Sequence, residues 1–431
     1  MNNEQILKAL TLTILIVLFT HLAIPCSMFK ITMYGKTMVG NNEDAWRINS
    51  KIWFESGKNG KYGAAYVGHN DLFPQGGMNE AGLCYDGFTV YPRALQPVFG
   101  KKETGRREAF IRMIMQNCGT VEEVQRMVNQ FDRRDFNGAM FLFVDKSGKY
   151  LVVEVDTTII GNDQKYVLSN FCPSLTKNTE DIRIGRYIRG RKYLENKSDT
   201  SLAFCLSVMD TMHECRTKLG DGTTYTSIYD LDEGLIYLYF YHDFEHVVKY
   251  NLQDELKKGD HSFLMTTLFP PNKEYMAFTR FKTPYNDAFI RWLVFLAGVY
   301  FTFSMLYFIA AYLRGKPILT ENFPGLRARG AYLWLSCINL MLAIYLFILL
   351  TNQPIFYFDT PYSMDGRFLL NLSSYIPFAL VIMAFPVAWL NIRILKKSMS
   401  PAFINWLFTI NTCSYILMLG LFAYWGLLSI F

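Results

Sequence analysis

The sequence predicts an α+β globular domain followed by a membrane-spanning helical region, and three observations carry that reading. Hydrophobic residues make up 51% of the 431-residue chain and charged residues 19%, too apolar for an ordinary soluble protein and too polar for one wholly in lipid. Charges are spread through residues 26–287 and thin out abruptly from Ala288 onward. Within the first part, runs of period two alternate with runs of helical period, the signature of strands and helices mixed in one domain. The chain therefore divides into residues 1–25, a globular domain over 26–287 and a membrane domain over 288–431.

The N-terminal segment places Lys8 ahead of an apolar run that ends at Pro25, the pattern of a secretory signal or processed pro-segment. Cleavage after it makes Cys26 the first residue, although Pro25 stands where signal processing favours a small side chain. Two alternatives follow from Pro25 and from the loosely lipobox-like residues before Cys26. The segment stays as an uncleaved anchor on a membrane-bound ligand-binding protein, or Cys26 is lipidated; in either case its α-amine is not free.

Next comes a hairpin. Residues 26–33 alternate as a half-buried strand, Tyr34-Gly35-Lys36 supplies turn chemistry, and residues 37–44 return. A three-residue turn pairs Met33 with Thr37 and sets Cys26 opposite Asp44, with Cα atoms roughly 4.5–5.5 Å apart; a two-residue turn shifts that register by one. A free α-amine, with a pKa of about 8, can take the thiol proton of its own residue, so an N-terminal Cys26 needs no catalytic histidine. An acidic neighbour such as Asp44 then orients the ammonium.

Further strands are expected over residues 139–144, 150–155 and 235–241, with Asp145-Lys146-Ser147-Gly148 and Asp232-Glu233-Gly234 as turns. Helical period appears over residues 108–115 and 184–194, and again after Thr120, which forms a capping box with Glu123. His242 and His246 are four apart on a run with strand period, which separates them by ~13 Å, too far for one metal ion. No metal and no cofactor are expected. The eight cysteines form no CxxC pair, and the net charge of +6 is not gathered into a basic, aromatic-interleaved run, so nucleic acid is not an expected partner.

Four apolar stretches, residues 290–313, 331–350, 369–395 and 404–431, each reach the ~20 residues that cross a bilayer as a helix. Arg314, Lys316, Arg327 and Arg329 lie between the first two, and Arg393, Lys396 and Lys397 between the last two. The middle loop holds Asp359, Asp365 and only Arg367. By the preference of basic loops for the cytoplasm, the globular domain of this multi-pass protein lies on the extracytoplasmic side. No intramembrane charge pair or broken helix is legible, and Asn339 and Ser373 read as packing groups.

Cys26-Ser27-Met28-Phe29, then Gly40-Asn41-Asn42-Glu43-Asp44-Ala45-Trp46, then residues 77–83 (Gly-Met-Asn-Glu-Ala-Gly-Leu) resemble in order and spacing the choloylglycine hydrolase and penicillin V acylase family. The resemblance implies a four-layer αββα sandwich of the N-terminal-nucleophile hydrolase type and hydrolysis of a linear carbon–nitrogen amide through an acyl-Cys26 thioester, with acyl transfer as its variant. It assigns Asp44 to the α-amine. Leu168-Ser169-Asn170 is similar to the segment whose Asn stabilises the oxyanion, which gives Asn170 that role, and Gly185-Arg186-Tyr187-Ile188-Arg189 is similar to the stretch whose first Arg sits near the nucleophile, which gives Arg186 its place. Two positions depart from the pattern and are assigned to substrate binding: Asn41, where relatives often carry Arg, and Thr89, where they carry Asn or Tyr. The implied partner is a small N-acyl amide, with lipid-derived acyl chains suggested by the membrane region.

Overall fold

The computed structural model of the chain describes residues 26–44, 49–96, 99–216, 221–314, 330–356, 360–361, 368–397 and 402–428. The segment before Cys26, Ala45, Trp46 and the loop residues Lys316, Arg327, Arg329, Asp359, Asp365 and Arg367 lie outside the described residues. The chain forms two compact units, one ending at Arg280 and the other beginning at Phe281.

The first unit is built on strands β1 (Cys26–Met33), β2 (Lys36–Asp44), β3 (Ser50–Glu55), β4 (Ala64–His69), β5 (Pro74–Asn79), β6 (Cys84–Thr89), β7 (Lys102–Glu103), β8 (Phe131–Asp132), β9 (Ala139–Val144), β10 (Tyr150–Val153), β11 (Thr158–Gly161), β12 (Lys165–Leu168), β13 (Cys215–Arg216), β14 (Asp221–Asp230), β15 (Leu235–Phe240), β16 (Asp243–Asn251) and β17 (His261–Leu264). Its helices are α1 (Arg107–Asn117), α2 (Val121–Val128), α3 (Gly185–Asn196), α4 (Leu202–Met212), α5 (Leu252–Leu256) and α6 (Lys273–Arg280). Among the described residues these strands form two antiparallel sheets and one short parallel pair, β7 with β8. One runs β12-β1-β2-β14-β15-β16 with β13 beside β14, and the other runs β11-β10-β9-β6-β5-β4-β3-β17.

Alternation sorts the side chains of each strand onto two faces. On β1 and β2, Phe29, Ile31 and Met38 pack with Val208, Met209 and Met212 of α4, so this face carries a helix layer. On the second sheet Trp53, Tyr66, Tyr85 and Phe143 pack with Phe110, Ile111 and Ile114 of α1 and Val121 and Val124 of α2. The remaining faces meet, as shown by Lys30 of β1 donating to the Gly148 carbonyl of the β9–β10 turn at 2.7 Å. The order helix, sheet, sheet, helix follows, and the domain is the expected αββα sandwich. The capping box of α2 is formed, with the Thr120 hydroxyl accepting from the Glu123 amide and the Glu123 carboxylate accepting from the Thr120 amide.

The register of the opening hairpin differs from the three-residue-turn expectation. Its turn is two residues, Tyr34 (φ 52°) and Gly35 (φ 79°), so Met33 pairs with Lys36 and Cys26 faces Glu43 instead of Asp44. Positive φ at both central positions gives a turn whose twist matches that of the flanking strands, and Gly35 meets the second requirement without steric cost.

Among the described residues, the second unit holds four helical stretches long and apolar enough to cross a membrane, Ala288–Leu313, Tyr332–Thr351, Phe368–Arg393 and Asn405–Tyr424. The corresponding helices are α7 (Ala288–Leu313), α8 (Gly330–Thr351), α9 (Phe368–Ser373) with α10 (Ile376–Lys397), and α11 (Ala402–Tyr424). Asp287 caps the first, its carboxylate accepting from the Ile290 amide at 3.1 Å. The third stretch is broken, contrary to the sequence expectation. Ser374 and Tyr375 form a tight turn with amides directed three residues back, because Pro377 has no N–H to continue the helical ladder. Asn339 is a packing group across helices, accepting from the Asn411 amide at 3.1 Å.

Candidate active site

The candidate site forms at one end of the first sheet, where four strands finish together. Antiparallel pairing of β12 with β1 sets Leu168 opposite Met28, and two residues further along the same register brings Asn170 across from Cys26. On the other side, β2 pairs with β14 so that Thr223 faces Asp44, next to a bulge at Thr223 to Tyr225. Residues far apart in sequence thus converge because a shared ladder fixes their heights.

Cys26 opens β1 and is 3% exposed. Its main-chain nitrogen donates to Asn170 Oδ1 at 2.8 Å, and its carbonyl accepts from the Ser169 hydroxyl at 2.9 Å. Arg186, in the first turn of α3, donates through Nη2 to the same Asn170 Oδ1 at 2.6 Å, and its Nε lies 3.5 Å from the Cys26 carbonyl. Two donors converging on one atom identify it as the amide oxygen of Asn170. The Asn170 amide nitrogen accordingly points away and donates to the Thr89 main-chain carbonyl at 2.8 Å. Thr89 meets Asn170 through its backbone.

Asp44 lies on the helix-facing side of β2. Its carboxylate accepts from the Thr223 hydroxyl and sits 3.9 Å from Arg186 Nε. Burial pushes its pKa well up, against the opposing pull of Arg186 and Thr223. Cys26, Asp44, Asn170, Arg186 and Thr89 are therefore one connected group. Asn41 lies on the other face of β2, buried beside Asp86, whose carboxyl pKa it lowers although the two stand outside ordinary hydrogen-bond geometry.

Between the sheets lies a second, acidic group. Glu43 Oε2 accepts from the Cys26 thiol at 3.2 Å, and Glu43 Oε1 is 3.7 Å from His69 Nε2 at the end of β4. Asp86 of β6 is also buried; burial first, then Glu43, raises its pKa, opposed by a 2.8 Å bond from the Gly87 amide. Burial pushes the Cys26 thiol up as well, reinforced by Glu43, Asp86 and Asp44. A thiol in these surroundings is held protonated until a cation or a reacting carbonyl compensates.

Sequence reasoning missed Glu43, His69, Asp86, Ser169 and Thr223 as members of the site. For Glu43 the signal was present, since a two-residue Tyr34-Gly35 turn sets it opposite Cys26. His69 and Asp86 come from the other sheet and have no local signal. His242 and His246 make separate acidic contacts, His242 Nδ1 at 3.0 Å from Glu274 and His246 Nδ1 at 2.8 Å from Asp243.

Residues 64–242 match the family model described as acyl-coenzyme A:6-aminopenicillanic acid acyl-transferase. The match takes in Thr89, Asn170 and Arg186 and begins after Cys26 and Asp44. A mutant of the conjugated bile acid hydrolase from Clostridium perfringens aligns with a TM-score of 0.44 and 18% identity, over 58% of this chain and 98% of that one. Penicillin V acylase from Agrobacterium tumefaciens aligns with a TM-score of 0.42 and 17% identity, over 55% of this chain and 90% of that one. No curated protein sequence matches the chain.

Proposed function

We propose that this chain, whose residues 64–242 match the family model described as acyl-coenzyme A:6-aminopenicillanic acid acyl-transferase, is an N-terminal-nucleophile amidase that cleaves a linear N-acyl amide with Cys26 as nucleophile. The observation that carries the proposal is the double hold on residue 26. Its nitrogen is bonded to Asn170, and its thiol is buried among carboxylates. An ordinary structural cysteine needs neither.

Once Cys26 is N-terminal, its α-amine carries a pKa of about 8 and lies where Asn170 Oδ1 already accepts a bond from that nitrogen. The α-amine takes the thiol proton as the sulfur attacks the amide carbonyl and gives it to the leaving nitrogen as the tetrahedral oxyanion collapses; water then cleaves the thioester, its oxygen and one hydrogen joining the acyl group and its other proton returning to the sulfur. Asn170 is the oxyanion donor in this reading, exchanging its bond to the Thr89 carbonyl for the substrate oxygen. Asp44 and Arg186 hold the α-amine side of the site, and Asn41 and Thr89 border the substrate. No cofactor enters the scheme.

The preferred substrate class is a lipid-derived N-acyl amide, which suits a chain with four spans of membrane-crossing length. The globular unit faces the extracytoplasmic side in this reading, with the segment before Cys26 removed during export. The matched family model is named for an acyl transfer, which favours one second reading: the thioester passes its acyl group to an amine instead of water.

N-terminal sequencing of the purified protein, followed by an amide screen with and without a competing amine, tests the proposal. A start at Cys26 with release of free acid from an N-acyl amide is the expected result. New amide formed from the added amine supports transfer, whereas a start at Met1 with no turnover overturns the enzymatic reading.

A further inference from the structure

The inter-sheet face beside the Cys26 sulfur is more polar than an enclosed protein interior needs. Glu43 of β2 and Tyr225 of β14 stand opposite each other in their shared ladder, so both side chains lie on the same face. There Glu43 Oε2 accepts from the thiol at 3.2 Å, Glu43 Oε1 is 3.7 Å from His69 Nε2 of β4, and the His69 and Tyr225 rings are 6.4 Å apart. Asp86 of β6 joins from the facing sheet, one oxygen accepting from the Gly87 amide at 2.8 Å. Burial first, then Glu43 and Asp86, push the Tyr225 hydroxyl up, so these groups act on one another at close range. All four side chains are at most 1% exposed.

Much of this polarity is unsatisfied. Among the described residues, both ring nitrogens of His69, the Tyr225 hydroxyl, Glu43 Oε1 and Asp86 Oδ2 lack a hydrogen-bond partner. Burying such groups is costly, and here they gather on four strands around one nucleophile. The charge is one-sided as well. Glu43 and Asp86 both face this space, whereas Arg186 reaches Asp44 on the opposite face of β2 and Lys30, further along β1, donates to the Gly148 carbonyl. A hydrocarbon chain satisfies none of these atoms, and an anionic ligand is repelled by them. A protonated amine suits them all, since it brings positive charge and three donors to a set of acceptors.

We propose that Glu43 and Asp86, flanked by His69 and Tyr225, bind a protonated amine carried by the leaving half of the substrate, so that this chain acts on N-acyl derivatives of short diamines. The inference rests on the amidase reading with Cys26 as nucleophile, and it leaves the thiol proton with the α-amine. The diamine is short because Glu43 touches the same sulfur that must reach the scissile carbon. The cation falls in the amine half because a lipid-derived acyl chain has no place among buried carboxyl groups. Charge then tells the two ends of the substrate apart, and Glu43 and Asp86 are specificity-determining residues.

The test offers the processed full chain, in detergent, three hexanoyl amides: of ethylenediamine, whose free end is an ammonium, of ethanolamine, whose free end is a neutral hydroxyl, and of glycine, whose free end is a carboxylate. One readout is kcat/KM for hexanoate release. The other is protection of Cys26 from iodoacetamide, followed by peptide mass mapping, which reports binding whether or not the amide is cleaved. Wild type is expected to favour the ethylenediamine amide over the ethanolamine amide by roughly tenfold to a hundredfold, the size of one charge-assisted hydrogen bond. The glycine amide should come last. In Glu43→Gln and in Asp86→Asn the ratio of the first two is expected to fall towards one, whatever the absolute rates become. A residue needed only for folding would lower all three amides alike. If one variant fails to fold the other carries the test, and if both fail the wild-type ranking decides it.

Equal use of the charged and neutral amides, or a preference that survives both replacements, overturns the proposal and leaves the amidase reading standing. Selective protection of Cys26 by the ethylenediamine amide without hexanoate release supports the cation site and counts against the amidase reading alone. Neither release nor protection with any of the three overturns both.

Discussion

Asn170 binds the nitrogen of residue 26 with its oxygen and the Thr89 carbonyl with its nitrogen, so both ends of one amide are committed. Asn170→Ala should therefore lower kcat by roughly 10²–10³ with a smaller change in KM, if the amide serves the transition state. Steady-state kinetics decides this, and an equal loss carried wholly by KM would assign Asn170 to ground-state binding. Asp86 permits a pH prediction. Its folded pKa is raised above the usual 3.8, first by burial. The folded protein thus holds that proton more tightly than the unfolded chain, and the stability this contributes is full below the ordinary carboxylate range and is lost as pH rises from there through the raised folded value. Asp86→Asn removes the titration, so its melting temperature relative to wild type should climb between pH 4 and pH 8. A constant difference across that range would show that Asp86 does not titrate with folding. Of the residues named from the sequence, Cys26, Asp44, Asn170 and Arg186 were legible because they sit in short motifs with recognisable spacing. Glu43 was hidden by a turn length, and His69 and Asp86 by their location on a different sheet.

The hairpin β1–β2 shows how an element converts one backbone detail into chemistry. A turn shorter by one residue moves Asp44 to the helix side with Arg186 and brings Glu43 against the thiol. Gly40 has a role at the same scale. A Cβ added there would stand 2.4 Å from the Phe29 ring and 2.9 Å from the Met209 sulfur, so β2 approaches α4 only because position 40 lacks a side chain. Gly40→Ala is expected to destabilise the domain by about 1–3 kcal/mol, read from chemical denaturation. Stability equal to wild type would mean that Phe29 and Met209 repack freely. Helices with local end signals, such as α2 with its Thr120 box, were readable from sequence at nearly their observed bounds. The break between α9 and α10 was not, because hydropathy averages over the Pro377 position and records no backbone bond.

At the scale of the whole molecule, the second unit presents large apolar side chains outward, among them Trp292, Phe303, Phe385 and Trp406. Such a surface suits lipid and not water. Cys337 and Cys413 are exposed within the candidate spans Tyr332–Thr351 and Asn405–Tyr424, which makes them internal reporters. In sealed membranes both should resist a charged, membrane-impermeant maleimide and react with a lipid-soluble one. Rapid labelling by the charged reagent would show that the helices face water.

What the sequence determined by itself is whatever depends on short-range order: strand and helix periods, the capping box, the apolar lengths of the four spans and the motif around Cys26. These survive in one dimension because each is written within a few turns of chain. The tertiary structure alone decided which carboxylate touches the thiol, that Asn170 stands across from residue 26, and that His69 and Asp86 join the site from the facing sheet. The reason is geometric, since ladder register and the stacking of two sheets set distances between residues whose separation along the chain carries no information about them.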